Sequence, residues 1–239
     1  MLRARPGEPG APYSFRETDV MMKELTALDG HKLDCWIEPA KGERRGGLVI
    51  VQEIFGVTDQ LKGVAARYAD KGYEVAIPAL FDRKEKGSVF PFDQPAPGRD
   101  MMMASDLAES MMDIDAAVQA LRANGGKVAV LGFCWGGGLA LRAAQKLDIA
   151  CAVAFYGTRL QQYLDSPLKA PLLAHFGKTD DHSPPEVISQ VQEYLPEIET
   201  HLYDAGHAFA NDARPAAYVR DAAELAHERT EAFLAKNLG

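Results

Sequence analysis

Cysteine is scarce in this sequence. Cys35, Cys134 and Cys151 are scattered with no CxxC pair among them. That excludes a disulfide framework and argues against a zinc site. A reducing, cytoplasmic setting is the expectation. Long hydrophobic runs are missing too. No stretch approaches about 18 uncharged apolar residues, so no membrane span is expected. The start, Met1 to Pro12, holds arginines, prolines and glycines but no apolar core, and does not read as a secretory signal. A surplus of positive charge is also lacking: 26 basic residues stand against 34 acidic ones, a net charge of −8. That balance leaves no electrostatic footprint for nucleic acid or an anionic membrane. Repeats and low-complexity segments are absent.

What is present is an ordinary globular composition, 47% apolar and 25% charged, in a chain long enough to bury a core without staples. Residues 1–19 read as a loose N-terminal arm. From about Val20 to Glu38, two extended stretches flank Asp29-Gly30, a hairpin-turn dipeptide. They predict an antiparallel edge. The pattern then changes. Short apolar runs predict strands at Gly47–Val51, Tyr73–Pro78, Lys127–Phe133, Ala150–Tyr156 and Pro171–Phe176, and a further strand is expected at Glu199–Tyr203. Helical spacing predicts helices over Thr58–Lys71, Asp100–Ala123, Trp135–Lys146, Pro185–Tyr194 and Arg214–Asn237. Asp82 to Arg99, rich in Pro, Gly and charge, reads as a long loop. Strand and helix alternate from residue 47 onward with no linker. The expectation is one α/β domain over 20–239, with a mostly parallel sheet, an N-terminal antiparallel hairpin and helices on both faces.

The most informative segment is Val128-Ala-Val-Leu-Gly132-Phe133-Cys134-Trp135-Gly136-Gly137-Gly138. An apolar strand runs into G-x-C-x-G and then a helix, the nucleophile-elbow pattern of the α/β-hydrolase fold with Cys for Ser. A turn this tight needs flanks without bulky Cβ groups, which Gly132 and Gly136 supply. It lifts Cys134 above the sheet edge and sets it at a helix N-terminus, where the macrodipole favours a thiolate. The Trp135 N–H then points where an oxyanion would form. A buried, inert thiol is the plainer reading of a free cysteine, and it suits Cys35 and Cys151.

A nucleophile needs a base and the base an orienting acid, in the chain order nucleophile, acid, His. Gly177-Lys-Thr-Asp180-Asp181-His182 offers the acid, with Asp180 at the strand end and Asp181 one residue late. Of six histidines, only His207, in Ala205-Gly206-His207, stands just past a strand end after a glycine. His31 and His227 read as surface or packing residues, His175 as core, His201 as the start of a strand and His182 as a weak rival. Gln52-Glu53-Ile54-Phe55-Gly56 follows the first parallel strand. It places Glu53 at the same edge, and the Ile54 N–H where the fold takes its second oxyanion donor. A helix-entry or surface glutamate is the bland reading of Glu53.

Together these segments, with Phe155-Tyr156-Gly157, Gly206-His207-x-Phe209 and Glu228-Arg-Thr-x-x-Phe233-Leu234, resemble the dienelactone hydrolase (carboxymethylenebutenolidase) family over nearly the whole chain. The resemblance implies a Cys134–His207–Asp180 triad that opens an ester or lactone through a thioester. It also implies that Glu53 acts beside the thiol, and it implies no metal or organic cofactor. Phe55 and Tyr156 become candidate substrate contacts. The family holds its substrate's carboxylate with two arginines. One corresponds to Arg83; the other falls at Asn211, which offers a hydrogen bond but neither charge nor fork. Arg214 stands nearby as a replacement, though a surface arginine is its plainer reading. The partner expected is a small ester or lactone, with or without a carboxylate, bound to a monomer or weak homodimer. A carboxylesterase acting on another small ester, or a silent binding protein on the same fold, are the competing readings.

Overall fold

The computed structural model describes residues 21–239. The arm expected over residues 1–19 lies outside the described residues. The hairpin forms as expected: β1 (Met21–Thr26) pairs antiparallel with β2 (Lys32–Glu38). Its turn includes Gly30, whose φ of 87° is glycine territory. β2 in turn pairs antiparallel with β4 (Tyr73–Pro78). From there the ladder is parallel through β3 (Gly46–Val51), β5 (Val128–Phe133), β6 (Ala152–Phe155), β7 (Leu172–Gly177) and β8 (Glu199–Tyr203). The eight strands lie in the order β1-β2-β4-β3-β5-β6-β7-β8.

Every residue of β3, β5, β6 and β7 is buried, the signature of strands covered on both faces. The covering helices are α1 (Asp59–Ala69), α2 (Pro95–Ala104), α3 (Leu107–Arg122), α4 (Trp135–Lys146), α5 (Pro185–Tyr194) and α6 (Arg220–Leu238). α1 begins where the Thr58 side chain accepts the Leu61 N–H. It lies beside α6, to which Arg67 is tied through Glu224 and Glu231.

Three expectations need correcting. The single helix over 100–123 is two helices. Ser105 leaves helical geometry with ψ 137°, and Asp106 caps a new start by accepting from the Glu109 N–H. The segment expected as loop up to Arg99 already turns helical at Pro95, because proline in a first turn loses no needed N–H. α6 likewise starts at Arg220 rather than Arg214. Residues 211–218 form consecutive turns instead, with Arg214 N–H bonded to Asn211 O and Tyr218 N–H to Arg214 O.

The topology places the site. Chain direction reverses across the sheet at β3, which has β4 on one side and β5 on the other. Open parallel sheets bind ligands beyond the strand C-termini at such a switch point. Register sets Val51 beside Gly132 and Phe133 beside Phe155. The residues that follow β3 and β5 therefore emerge side by side.

Candidate active site

Cys134 sits on the turn between β5 and α4 with φ 54° and ψ −116°. A non-glycine residue there is strained, and the surrounding structure must hold it. The hold is visible: its N–H donates to Phe155 O at 3.0 Å, and its carbonyl accepts from Gly137 at 3.0 Å and Thr158 at 3.0 Å. The flanking glycines are required by close approach. A Cβ on Gly132 would fall 1.9 Å from Gly136 O, and one on Gly136 2.3 Å from Val51 O. Gln52 is the other brace, missed in the sequence. Fully buried, it accepts from Leu80 N–H, donates to Glu53 O and gives its own carbonyl to Gly136 N–H. It thereby ties the ends of β3 and β4 to the elbow. Trp135 opens α4, so its N–H has no partner within the helix; its ring stacks on Phe81 at 5.6 Å.

His207 and Asp180 meet as the spacing predicts. His207 Nδ1 lies 2.9 Å from Asp180 Oδ2, and the carboxylate is buried. Asp180 Oδ1 accepts from the His182 N–H at 2.8 Å. Burial opposes charge on Asp180, yet the His207 hydrogen bond and charge hold its carboxyl below the usual range. Burial opposes charge on His207 too, but the bonds to Asp180 and Cys134 outweigh it and lift the imidazole to about 10. Tyr156 packs edge-on to His207, with ring centroids 5.2 Å apart. Tyr156 (φ 36°) and Ala208 (φ 62°) join Cys134 among the strained residues. Tyr156 was marked in the sequence only as a substrate contact, and no sequence signal marked Ala208.

The other histidines sort by environment. His175 is wholly buried between the Tyr203 and Thr230 hydroxyls, and His227 faces the Tyr68 hydroxyl. Burial pushes His227 down to about 3, so both are neutral core residues. His182 is mostly exposed and stacks on His207 with centroids 4.4 Å apart.

Glu53 is buried beside the same cluster. Asn211 donates to its Oε2 at 2.8 Å, while Oε1 has no hydrogen-bond partner among the described residues. Burial holds its carboxyl above the ordinary range, against the opposing pull of His207, Asn211 and Arg214. The amide of Asn211 is thus committed to Glu53, and its Oδ1 accepts from Ala213 N–H at 3.2 Å. Phe55 is buried, edge-on to Phe92 at 4.8 Å, with the Arg214 guanidinium 5.6 Å over its ring.

The anchor expected of Arg83 is not delivered. Its guanidinium grips Asp113 through Nε and Nη2, each at 2.8 Å, and Asp29 through Nη1 at 2.7 Å. Held between two carboxylates, it is a structural ion pair rather than a free cation. The cations near the cluster are different ones. Arg214 bears on Glu53 and Arg99, on α2, bears on His182. Neither has an ion-pair partner among the described residues. Gly98 beside Arg99 packs so closely on Ile54 O that a Cβ would fall 1.8 Å away, so α2 is seated directly on the loop after β3.

The dienelactone hydrolase family model matches residues 35–238. The chain belongs to the dienelactone hydrolase family. Among its relatives, the carboxymethylenebutenolidase of Pseudomonas putida is 33% identical over 224 residues, covering 88% of this chain and 94% of that one. The enzyme of the same name from Pseudomonas sp. strain P51 is 35% identical over 205 residues, covering 80% and 84%. A provisionally named dienelactone hydrolase from Klebsiella pneumoniae superposes with a TM-score of 0.76 at 25% identity, over 92% of this chain and 100% of that chain. The protein is accordingly an α/β-hydrolase-fold enzyme of this family. Among the described residues, no helix is long and apolar enough to cross a membrane.

Proposed function

We propose that this dienelactone hydrolase family member opens an ester or lactone bond through a thioester on Cys134. The observation that carries the reading is the strained Cys134 turn facing a His207 imidazole already bonded to buried Asp180. In this mechanism the Cys134 thiolate, paired with the His207 imidazolium, attacks the carbonyl carbon. The N–H groups of Trp135 and Ile54 receive the charge that develops on the carbonyl oxygen. The C–O bond breaks, His207 protonates the departing alkoxide or enolate, and the acyl group remains on sulfur. Water then gives its proton to His207 and attacks the thioester, releasing the acid and restoring the thiolate–imidazolium pair. Asp180 fixes the imidazole tautomer throughout. Glu53, buried and biased toward its protonated form, is a proton reservoir beside the thiol. Substrates with good leaving groups, enol lactones and activated esters, suit a sulfur nucleophile. Arg99 and Arg214 are the cations offered to a substrate carboxylate.

A neutral small ester is the second reading, favoured by the commitment of Arg83 to Asp113 and Asp29 and of Asn211 to Glu53. Hydrolysis of a dienelactone beside a short p-nitrophenyl ester separates the two. Turnover of the dienelactone that falls in Arg99→Ala and Arg214→Ala, with the p-nitrophenyl ester unaffected, supports the anionic substrate. Turnover of the simple ester alone supports the neutral one. Cys134→Ala abolishes both, and Asp180→Asn lowers kcat by roughly 10⁴-fold, as loss of the correct tautomer does in a comparable triad. Equal activity in wild type and Cys134→Ala contradicts the proposal.

A further inference from the structure

Beside the proposed triad stands a histidine it does not use. His182 lies two residues after Asp180, at the rim, with its side chain 59% exposed. Its backbone N–H is spent on Asp180, but its ring makes no hydrogen bond among the described residues. The ring stacks on His207 with an interplanar angle of 17°. Its Nδ1 stands 3.9 Å from Asp180 Oδ1. One ligand atom each from Asp180, His182 and His207 lie within 4.8 Å of one another. Donors around a tetrahedral zinc ion, at about 2.0–2.2 Å from the metal, stand roughly 3.3 Å apart. Closing the difference asks for a shift of about 1.5 Å and for the His182 ring to turn out of its stack on His207 so that both lone pairs meet the ion, and that exposed ring is free to make both moves.

We propose that Asp180, His182 and His207 form a binding site for a borderline transition-metal cation, Zn²⁺ above all, and that occupancy shuts the enzyme off. Two imidazoles, one carboxylate and a water complete a four-coordinate site, a donor set typical of zinc. His207 binds through Nδ1. The Nδ1 proton of the imidazolium leaves to solvent, Nε2 keeps its own, and the hydrogen bond to Asp180 is replaced by the metal. An imidazole held this way keeps no free site for the Cys134 proton. His182 supplies both the entry path and the ligand that a bare His–Asp pair lacks. The inhibitory half of the proposal rests on the role assigned to His207; metal capture does not.

The test uses the full chain, freed of metal with a chelator, at pH 7.5. Zinc binding is read by competition with a chromophoric chelator, and separately by inhibition of p-nitrophenyl acetate hydrolysis. The variants are His182→Phe, which keeps a ring against His207 but no ligand, and Cys134→Ser, which keeps all three ligands. The expected result is one Zn²⁺ per chain, with inhibition reversed by EDTA. His182→Phe should weaken binding and inhibition together by at least roughly tenfold, since even outer-sphere partners of a metal are worth that much. Cys134→Ser should bind zinc as wild type does. Loss of binding in Cys134→Ser with retention in His182→Phe would place the metal on Cys134 and overturn the proposal. So would absence of binding to wild type. If wild type binds zinc but hydrolyses neither test substrate, the hydrolytic reading fails and the metal site stands.

Discussion

Asp113 and Glu53 are both carboxylates taken out of water, and the protein treats them in opposite ways. Asp113, on α3, receives two charge-assisted bonds at 2.8 Å from one guanidinium. Glu53, at the end of β3, receives one neutral amide bond from Asn211, and its other oxygen is buried without a partner. Burial raises both carboxyls above their ordinary range. Only Asp113 has a fixed counter-charge in bidentate contact. A satisfied pair of this kind resists change. An under-satisfied acid near the His207 imidazole has no such lock on its proton. The contrast places Arg83 with the charges kept for the scaffold, and it supports the proposal that Glu53 is kept for chemistry.

The comparison breaks most sharply at Arg83. Arg83→Met strands Asp113 as an uncompensated buried charge, and the expected loss is about 3–5 kcal/mol of unfolding free energy in urea titration. Hydrolysis per folded molecule should persist. If activity instead collapses with stability intact, Arg83 is a substrate anchor after all. Asn211→Ala comes next. It strips Glu53 of its one hydrogen bond, and about 1–3 kcal/mol should be lost. The companion Glu53→Gln, which turns the acid into a neutral amide, should be far milder.

The smallest effects are pH slopes. With its carboxyl raised above 4.5 in the folded state, Glu53 holds its proton more tightly folded than unfolded. Its contribution to stability therefore falls as pH climbs above about 4.5, and Glu53→Gln should flatten the decline in thermal melting above that pH. His207 runs in a different window. Its folded value of about 10 lies above 6.5, so its stabilisation is complete below about 6.5 and is lost as pH rises through about 10. The stability gap between wild type and His207→Gln should narrow over that interval. A gap that widens would contradict the ion-paired imidazole.

Much of this was legible in the sequence, and the limits have physical causes. The strands β3 and β5 to β7 and the elbow announced themselves because burial on both faces leaves unbroken apolar runs, and because close approach at Gly132 and Gly136 excludes any side chain. His207 and Asp180 followed from their places at strand ends. The break at Ser105-Asp106 was hidden because helical periodicity continues across it; only the Asp106 cap gives it away. Partnership was the other blind spot. That Arg83 would find Asp113 and Asp29, and Asn211 find Glu53, depends on contacts spanning 30, 54 and 158 residues. Local pattern carries no record of such distances. The exposed His182 looked like a failed rival to His207, when the fold sets it against that ring.

Intact-mass spectrometry during turnover of p-nitrophenyl acetate tests the acyl-transfer account most directly. Wild type quenched in acid should carry one added acetyl group, mapped by peptide digestion to Cys134, and Asp180→Asn should carry the label with slowed turnover. An enzyme that turns over with no acyl adduct on Cys134, or a Cys134→Ala variant that still turns over, would contradict it.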